Sequence, residues 1–194
     1  MRVDVVVYDG LDELDALGPL EVLRSAGAAG ADIVTRLVTR VRCAEVTGAF
    51  GLAFRPDAIY EPGADVLLVP GGGWVDRAPR GAWAETQEGG WLPTLADAAR
   101  DGCVMAGVCT GTMILAHAGV IGTRRASTHH TALSELAATG AQVVDERVVD
   151  EGSLITSGGV TAGLDLSLWI VERFENRKLA DDLARRIEYE RFRP

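Results

Sequence analysis

The segment Gly107-Val108-Cys109-Thr110-Gly111 places a cysteine between two glycines, where two patterns of the chain meet. Residues 103–106 before it are apolar and predict a strand, and residues 112–118 after it predict a helix. A strand, a tight glycine-flanked turn and a helix form the nucleophile elbow, in which serine hydrolases carry serine. A thiol there faces unpaired backbone N–H groups and the positive end of the helix dipole, so we expect a reactive Cys109 thiolate. A cysteine that only fills the core would not need these glycines.

Strand-like and helix-like segments alternate along the rest of the chain. The predicted strands are residues 3–8, 32–39, 66–69, 103–106, 142–144, 147–150 and 154–156, with a short hairpin over 45–54. The predicted helices are residues 13–26, 91–100, 112–118, 130–138, 161–174 and 179–189. This alternation predicts an α/β fold, a three-layer sandwich with a doubly wound, mostly parallel sheet. No linker, repeat or low-complexity segment divides the chain, so we expect a single domain over residues 1–194.

Composition excludes several classes of protein. The chain is 47% hydrophobic and 24% charged, which is typical of a globular domain rather than a disordered or membrane-spanning one. Its net charge of −9 argues against a nucleic-acid partner, which needs a basic face. Three cysteines without metal-type spacing and no secretory leader favour the reducing cytoplasm. Three histidines without a chelating pattern favour no metal site.

Chemically suggestive residues follow the predicted strands. Asp12 and Asp15 come after the first strand, Gly71 to Gly73 after the strand over 66–69, Cys109 after the elbow strand, and Gly158 and Gly159 after the strand over 154–156. In doubly wound sheets the ligand site lies beyond the carboxyl ends of the strands, so we expect these residues to gather there.

Five segments in this order resemble the ThiJ/PfpI superfamily of class I glutamine amidotransferase-like proteins. They are Leu14-Asp15-Ala16-Leu17-Gly18-Pro19, Val69-Pro70-Gly71-Gly72, the elbow itself, Arg125-Ala126-Ser127-Thr128-His129, and Thr156-Ser157-Gly158-Gly159-Val160-Thr161-Ala162-Gly163. Within the superfamily they are most similar to the isonitrile hydratase branch and to the sensor domains of AraC-type regulators. The resemblance extends from residue 1 to about residue 189 and implies a flavodoxin-like fold.

The resemblance also implies roles for particular residues. Cys109 matches the family nucleophile, and Asp15 matches an acid that acts beside it as general acid/base. A carboxyl buried near a thiol has its pKa raised, which suits proton transfer near neutrality. From the residue alone, Asp15 is equally well explained as a first-turn carboxylate that stabilises the helix dipole. Gly71 and Gly72, with the N–H of Thr110, match an oxyanion site, and the Thr110 hydroxyl is placed to donate to the sulfur or a ligand.

His129 matches a histidine that many superfamily members hold near the cysteine. Because neighbouring side chains of an extended chain point opposite ways, we expect at most one of His129 and His130 to face the pocket. Two other readings stay open: a buried histidine with its hydrogen bonds satisfied, or a helix N-terminus capped by Ser127 or Thr128.

The resemblance implies three functions. The first is a cofactor-free hydratase of a small carbon electrophile such as an isonitrile, through a covalent thioimidate on Cys109; Leu17 departs from the threonine usual in hydratases. The second is another thiol enzyme, amidase/protease-like or glyoxalase/deglycase-like, although Thr110 stands where some branches carry a histidine. The third is a redox or ligand sensor that uses an oxidisable Cys109.

The resemblance implies a homodimer with its pockets near the interface, acting on a small molecule. Regulators of this type append a helix-turn-helix region. The last predicted helix ends at residue 189 and leaves no room for one before Pro194, so we expect no DNA-binding part.

Overall fold

Eleven strands and seven α-helices succeed one another in the computed structural model, which describes residues 1–194. The strands are β1 (Arg2–Val6), β2 (Val34–Thr39), β3 (Val46–Thr47), β4 (Ala53–Phe54), β5 (Ala58–Ile59), β6 (Val66–Val69), β7 (Val104–Val108), β8 (Arg125–Ala126), β9 (Gln142–Val143), β10 (Val148–Asp150) and β11 (Leu154–Ser157). The helices are α1 (Glu13–Ala28), α2 (Ala82–Glu88), α3 (Leu92–Arg100), α4 (Gly111–His117), α5 (Leu133–Ala138), α6 (Ala162–Phe174) and α7 (Arg177–Arg186). A 3₁₀ turn over His130–Ala132 precedes α5.

Seven of the strands form one sheet in the order β10, β11, β7, β6, β1, β2, β5. All neighbours are parallel except β10, which runs antiparallel to β11. The chain builds outward from β1 through β2 on one side and through β6, β7 and β11 on the other. This is the flavodoxin-like order, with its switch point between β1 and β6. The predicted fold class is confirmed.

Helices cover both faces of the sheet. α1, α6 and α7 pack together in one layer, and α2, α3 and α4 pack in the other. Strands covered on both faces have no polar side, which explains why all four residues of β6 are buried and apolar. The charged exception on β1 is the buried Asp4, whose two oxygens accept hydrogen bonds from Arg36 on β2 at 2.9 and 2.8 Å.

The structure differs from the sequence prediction mainly in short elements. Helix α2 and the two-residue strands β5 and β8 were not expected, because so few residues carry no clear periodicity. The elbow strand runs on to Val108, two residues further than predicted. Helix α7 ends at Arg186, and its start is fixed by Asn176, whose side chain accepts from the Leu179 N–H at 2.9 Å. No helix has the length and apolar character needed to cross a membrane.

Candidate active site

Cys109 lies at the sharp turn between β7 and α4, as the elbow requires. Its backbone is in the left-handed region with φ of +56°, a conformation that costs a residue other than glycine free energy and is found where function requires it. Two anchors outside the elbow hold it there: the Cys109 N–H donates to the Gly158 carbonyl at 3.0 Å, and the Cys109 carbonyl accepts from Thr128 Oγ1 at 2.8 Å. The strand, turn and helix predicted from the glycine spacing are therefore present.

Asp15 is fully buried in the first turn of α1, which Asp12 caps. Its Oδ2 accepts from the Gly71 N–H at 3.0 Å, whereas its Oδ1 has no hydrogen-bond partner. Burial raises the pKa of Asp15 to about 8, and the charge of Asp12 adds to this, while the hydrogen bond from Gly71 and the neighbouring Cys109 thiol lower it. The carboxyl therefore carries its proton at neutral pH, as the sequence suggested for an acid buried beside a thiol.

The Cys109 sulfur is close to Asp15 but shielded from water. The residue is only 5% exposed, and burial raises the pKa of the thiol, with the Asp15 charge as the next cause. Hydrogen bonds from the backbone N–H groups of Val160 and Thr110 lower that pKa, but by less. The N–H of Thr110 at the start of α4 acts in the direction expected of a helix terminus, but burial and the charge of Asp15 are the larger causes and raise the pKa of the thiol.

The glycines after β6 hold the two polar side chains of the site. The Gly71 N–H donates to Asp15, and the Gly72 N–H donates to Thr110 Oγ1 at 3.0 Å. A Cβ on Gly71 would lie 2.5 Å from both the backbone nitrogen and the hydroxyl of Thr110, so only glycine fits. This corrects the oxyanion role predicted for Gly71 and Gly72, because both N–H groups are occupied. The Thr110 N–H, by contrast, is directed at the Cys109 sulfur, as the resemblance implied.

Val160 is the site residue that sequence reasoning missed. It lies in the turn between β11 and α6 with φ of +44°, an unusual value for a β-branched residue. Its N–H reaches the Cys109 sulfur. The preceding Gly158 and Gly159 mark a turn in the sequence, but no local signal shows where the next N–H points.

His129 lies beside the site without bonding to the sulfur. Its Nδ1 and Thr131 Oγ1 are 2.7 Å apart, and its ring packs so closely on Gly159 that a Cβ there would lie 2.3 Å from Cδ2. Burial lowers the pKa of His129, the neighbouring His130 lowers it further, and the charge of Asp12 raises it. The His129 and His130 rings lie 4.3 Å apart instead of on opposite sides, because the chain turns into the 3₁₀ helix here, and His129 itself caps that helix.

Two cavities meet above Asp12. One, of about 450 Å³, lies between Gly72, Arg80 and the turn that joins β3 to β4. The other, of about 560 Å³, is mostly apolar and is lined by Leu14, Phe50, Leu52 and Val160 with Asp12 and Glu13. Cys109 lines neither cavity, but each cavity is lined by one of its neighbours: Gly72, which bonds to Thr110, and Val160, whose N–H is directed at the sulfur. No three His, Cys, Asp or Glu side chains are grouped so as to hold a metal ion.

Comparisons with known proteins agree with this geometry. The sequence pattern of the DJ-1/PfpI family matches residues 1–173. An isonitrile hydratase from Pseudomonas putida is 31% identical over 191 residues, which cover 97% of this chain and 78% of that protein. The HTH-type transcriptional regulator CdhR from Pseudomonas aeruginosa is 29% identical over 193 residues, 97% of this chain but only 55% of the regulator. The crystal structure of a ThiJ/PfpI family protein from Pseudomonas syringae, 28% identical, superposes with a TM-score of 0.86 over 100% of this chain and 76% of that one.

Proposed function

The chain belongs to the DJ-1/PfpI family, and we propose that it is a cysteine-dependent hydratase that converts small isonitriles to N-substituted formamides. One observation carries the proposal: a buried carboxyl, Asp15, lies beside a buried thiol, Cys109, so that each affects the pKa of the other. Adding a thiol across an isonitrile carbon needs a nucleophile and a proton donor at the same place, and this pair supplies both. The similarity to an isonitrile hydratase supports the choice of substrate.

In the first step the pair uses a single proton. The Asp15 carboxylate takes the proton of the Cys109 thiol, and the sulfur forms a bond to the terminal isonitrile carbon. The carbon lone pair then takes that proton back from Asp15, which leaves the thioimidate, S–CH=N–R. The N–H groups of Thr110 and Val160 stabilise the charge on the sulfur while it is ionised.

In the second step Asp15 acts as a base toward water. Its carboxylate accepts a proton as water attacks the thioimidate carbon, and it passes that proton to the substrate nitrogen. The carbon–sulfur bond then breaks as Asp15 removes the hydroxyl proton, which releases R–NH–CHO and a thiolate. Asp15 and Cys109 again hold one proton between them, so no cofactor is needed.

The alternative functions fit the site less well. An amidase or protease would use a histidine paired with the cysteine, but Thr110 follows Cys109 and His129 bonds to Thr131. A glyoxalase or deglycase of this family would carry a glutamate beside the cysteine, whereas the acid here is Asp15. A peroxide sensor needs a low-pKa thiol, and burial raises the pKa of Cys109. The family resemblance further supports a homodimer, which sedimentation of the purified protein would test. The three free cysteines support a reducing compartment such as the cytoplasm, which cell fractionation would test.

A panel of three substrates tests the proposal. Cyclohexyl isonitrile, methylglyoxal and a chromogenic amide are each incubated with the wild type, Cys109→Ala and Asp15→Asn. We expect turnover of the isonitrile alone, none with Cys109→Ala, and a severe loss with Asp15→Asn, although iodoacetamide still labels Cys109 in that variant. Turnover of methylglyoxal or the amide instead would overturn the proposal in favour of another thiol enzyme. No turnover at all, with one equivalent of peroxide oxygen added at Cys109, would favour the sensor.

A further inference from the structure

The peptide group between Cys109 and Thr110 makes two contacts in opposite directions, one through its carbonyl and one through its N–H. Its N–H, contributed by Thr110, is directed at the Cys109 sulfur and lowers the pKa of the thiol. Its carbonyl, contributed by Cys109, accepts a buried hydrogen bond from Thr128 Oγ1 at 2.8 Å. The chain has no cis peptide bonds, and in a planar trans peptide the C=O and N–H point in opposite directions. A group that fixes the carbonyl therefore also fixes the direction of the N–H.

This peptide needs an external anchor. Cys109 has φ of +56°, so the backbone gains nothing from local preference by staying where it is. The carbonyl's other partner, the Thr112 N–H in the first turn of α4, is more distant at 3.3 Å. The Thr128 hydroxyl is thus the shorter of the two hydrogen bonds on this carbonyl.

Thr128 is itself rigidly placed. It is 2% exposed, and its hydroxyl bonds to no group except the Cys109 carbonyl. The preceding residue fastens the segment to the central sheet, because the Ser127 N–H donates to Thr156 Oγ1 on β11 at 2.9 Å. The segment that carries His129 in the sequence motif therefore also delivers a fixed hydroxyl to the elbow.

We propose that Thr128 is a positioning residue, whose hydroxyl holds the Cys109 carbonyl and thereby aims the Thr110 N–H at the sulfur. It touches neither the sulfur nor the substrate. The hydrogen bond also polarises the peptide, which strengthens the N–H as a donor on the other side. The effect on turnover rests on the proposed function, but the effect on the reactivity of the sulfur does not.

The test compares Thr128→Val, which keeps the shape and removes the hydroxyl, with Thr128→Ser, which keeps the hydroxyl. Thr86→Val is the matched control, because it also removes a buried threonine hydroxyl from a backbone carbonyl, that of Trp83 at 2.7 Å in α2, and leaves the elbow and the segment of Thr128 intact. The first readout is the rate of Cys109 alkylation by iodoacetamide against pH, followed on the Cys109 peptide by mass spectrometry. The exposed Cys43 reports reagent quality in the same samples.

We expect Thr128→Val to move the alkylation profile of Cys109 to higher pH and to lower kcat by up to about tenfold with KM unchanged, the scale of one lost hydrogen bond. Thr128→Ser should restore both. Thr86→Val should lower the unfolding temperature but leave the alkylation profile in place. If Thr128→Val does not fold, Thr128→Ala compared with Thr128→Ser decides in its stead.

An unchanged alkylation profile in Thr128→Val would overturn the proposal, as would an equal shift in Thr86→Val. If the wild type turns over no isonitrile, the proposed function fails, yet the alkylation profiles still decide the role of Thr128.

Discussion

At the scale of single residues, two acidic groups share a site with little water. Burial is the largest cause of the raised pKa of Asp15 and of Cys109, because either negative charge would lose its hydration there. Below a pH of about 8 the carboxyl keeps its proton, so the pair then holds two protons. The reaction needs one, because only an ionised Asp15 can accept the thiol proton.

This proton count predicts the pH dependence of the enzyme. We expect kcat/KM for an isonitrile to rise with pH through a midpoint of about 8, where Asp15 loses its proton, and to level off above it. Asp15→Asn should lack this limb. Glu85→Gln is the control, because Glu85 is a second acid whose pKa burial raises, to about 7, and it could produce a similar midpoint. Like Asp15, Glu85 lies near Tyr8. A midpoint that moves in Glu85→Gln, or that survives in Asp15→Asn, contradicts the assignment.

The sequence predicted the side chains of the site better than its backbone groups. Cys109, Asp15 and Thr110 could be placed because each follows a strand, and parallel strands end at one edge of a sheet. The directions of individual N–H groups could not, because they depend on tertiary contacts: Gly71 and Gly72 donate to side chains, whereas Val160 donates to the sulfur. Thr128 was overlooked for the same reason, since its partner lies 19 residues away in sequence.

At the scale of elements, the first turn of α1 organises the mouth of the site. It carries Asp12 and Asp15 and also Glu13, whose Oε1 accepts from the N–H groups of Phe50 at 2.7 Å and Leu52 at 3.3 Å. These bonds hold the turn between β3 and β4 against the helix, with the Phe50 side chain 84% exposed beside both cavities. The acid and the apolar rim are thus fixed by one helix terminus.

Removing the Glu13 carboxylate should release that turn. In Glu13→Ala we expect the amides of Phe50 and Leu52 to exchange with deuterium about tenfold faster, as two hydrogen bonds to a charged acceptor are lost. Exchange within the sheet should stay the same, and Glu21→Ala, an exposed change in the same helix, should leave both amides slow. Unchanged exchange at Phe50 and Leu52 in Glu13→Ala means that other contacts hold the turn.

The buried strands and helices around the site were predicted well, whereas the short strands β5 and β8 were not predicted. Burial on both faces of the sheet requires mostly apolar residues, which makes the strands over 66–69 and 154–156 recognisable. The helix ending at Phe174 is recognisable from apolar residues at helical spacing. Strand β5 is recruited by pairing with the edge of β2, and β8 pairs with β9. Such pairings are made by tertiary structure, so two residues of local sequence contain no signal for them.

At the scale of the whole molecule, the order of strands explains why the site is where it is. Asp15 follows β1 and Gly71 follows β6. Between these two strands the order in which the chain adds strands to the sheet reverses, and Cys109 follows the next strand, β7. The crevice left at this switch point is where doubly wound proteins bind ligands. A second buried acid, Asp165, lies in the first turn of α6. Its Oδ2 accepts from Arg147 Nε at 2.6 Å and the Tyr189 hydroxyl at 2.8 Å, and its Oδ1 from the Phe192 N–H at 2.6 Å.

This second acid should matter for stability and not for chemistry. We expect Asp165→Ala to lower the free energy of unfolding by about 3 kcal/mol, because it leaves the partners of a buried carboxylate without an acceptor. Alkylation of Cys109 in the folded protein should be unchanged. Asp97→Ala, which removes an exposed ion pair with Arg100, should unfold in urea at nearly the wild-type midpoint. Loss of Cys109 reactivity in folded Asp165→Ala would show that this carboxylate also supports the site.

The most direct test of the account is to catch the sulfur bonded to its substrate. The protein is mixed with cyclohexyl isonitrile, quenched in acid at intervals within the first turnover, and digested for mass spectrometry of the Cys109 peptide. We predict an adduct with the mass of the whole isonitrile on Cys109, formed before N-cyclohexylformamide appears and consumed as it accumulates, and neither species with Cys109→Ala. Formamide that accumulates while Cys109 stays unmodified, or that forms in Cys109→Ala, would contradict the account.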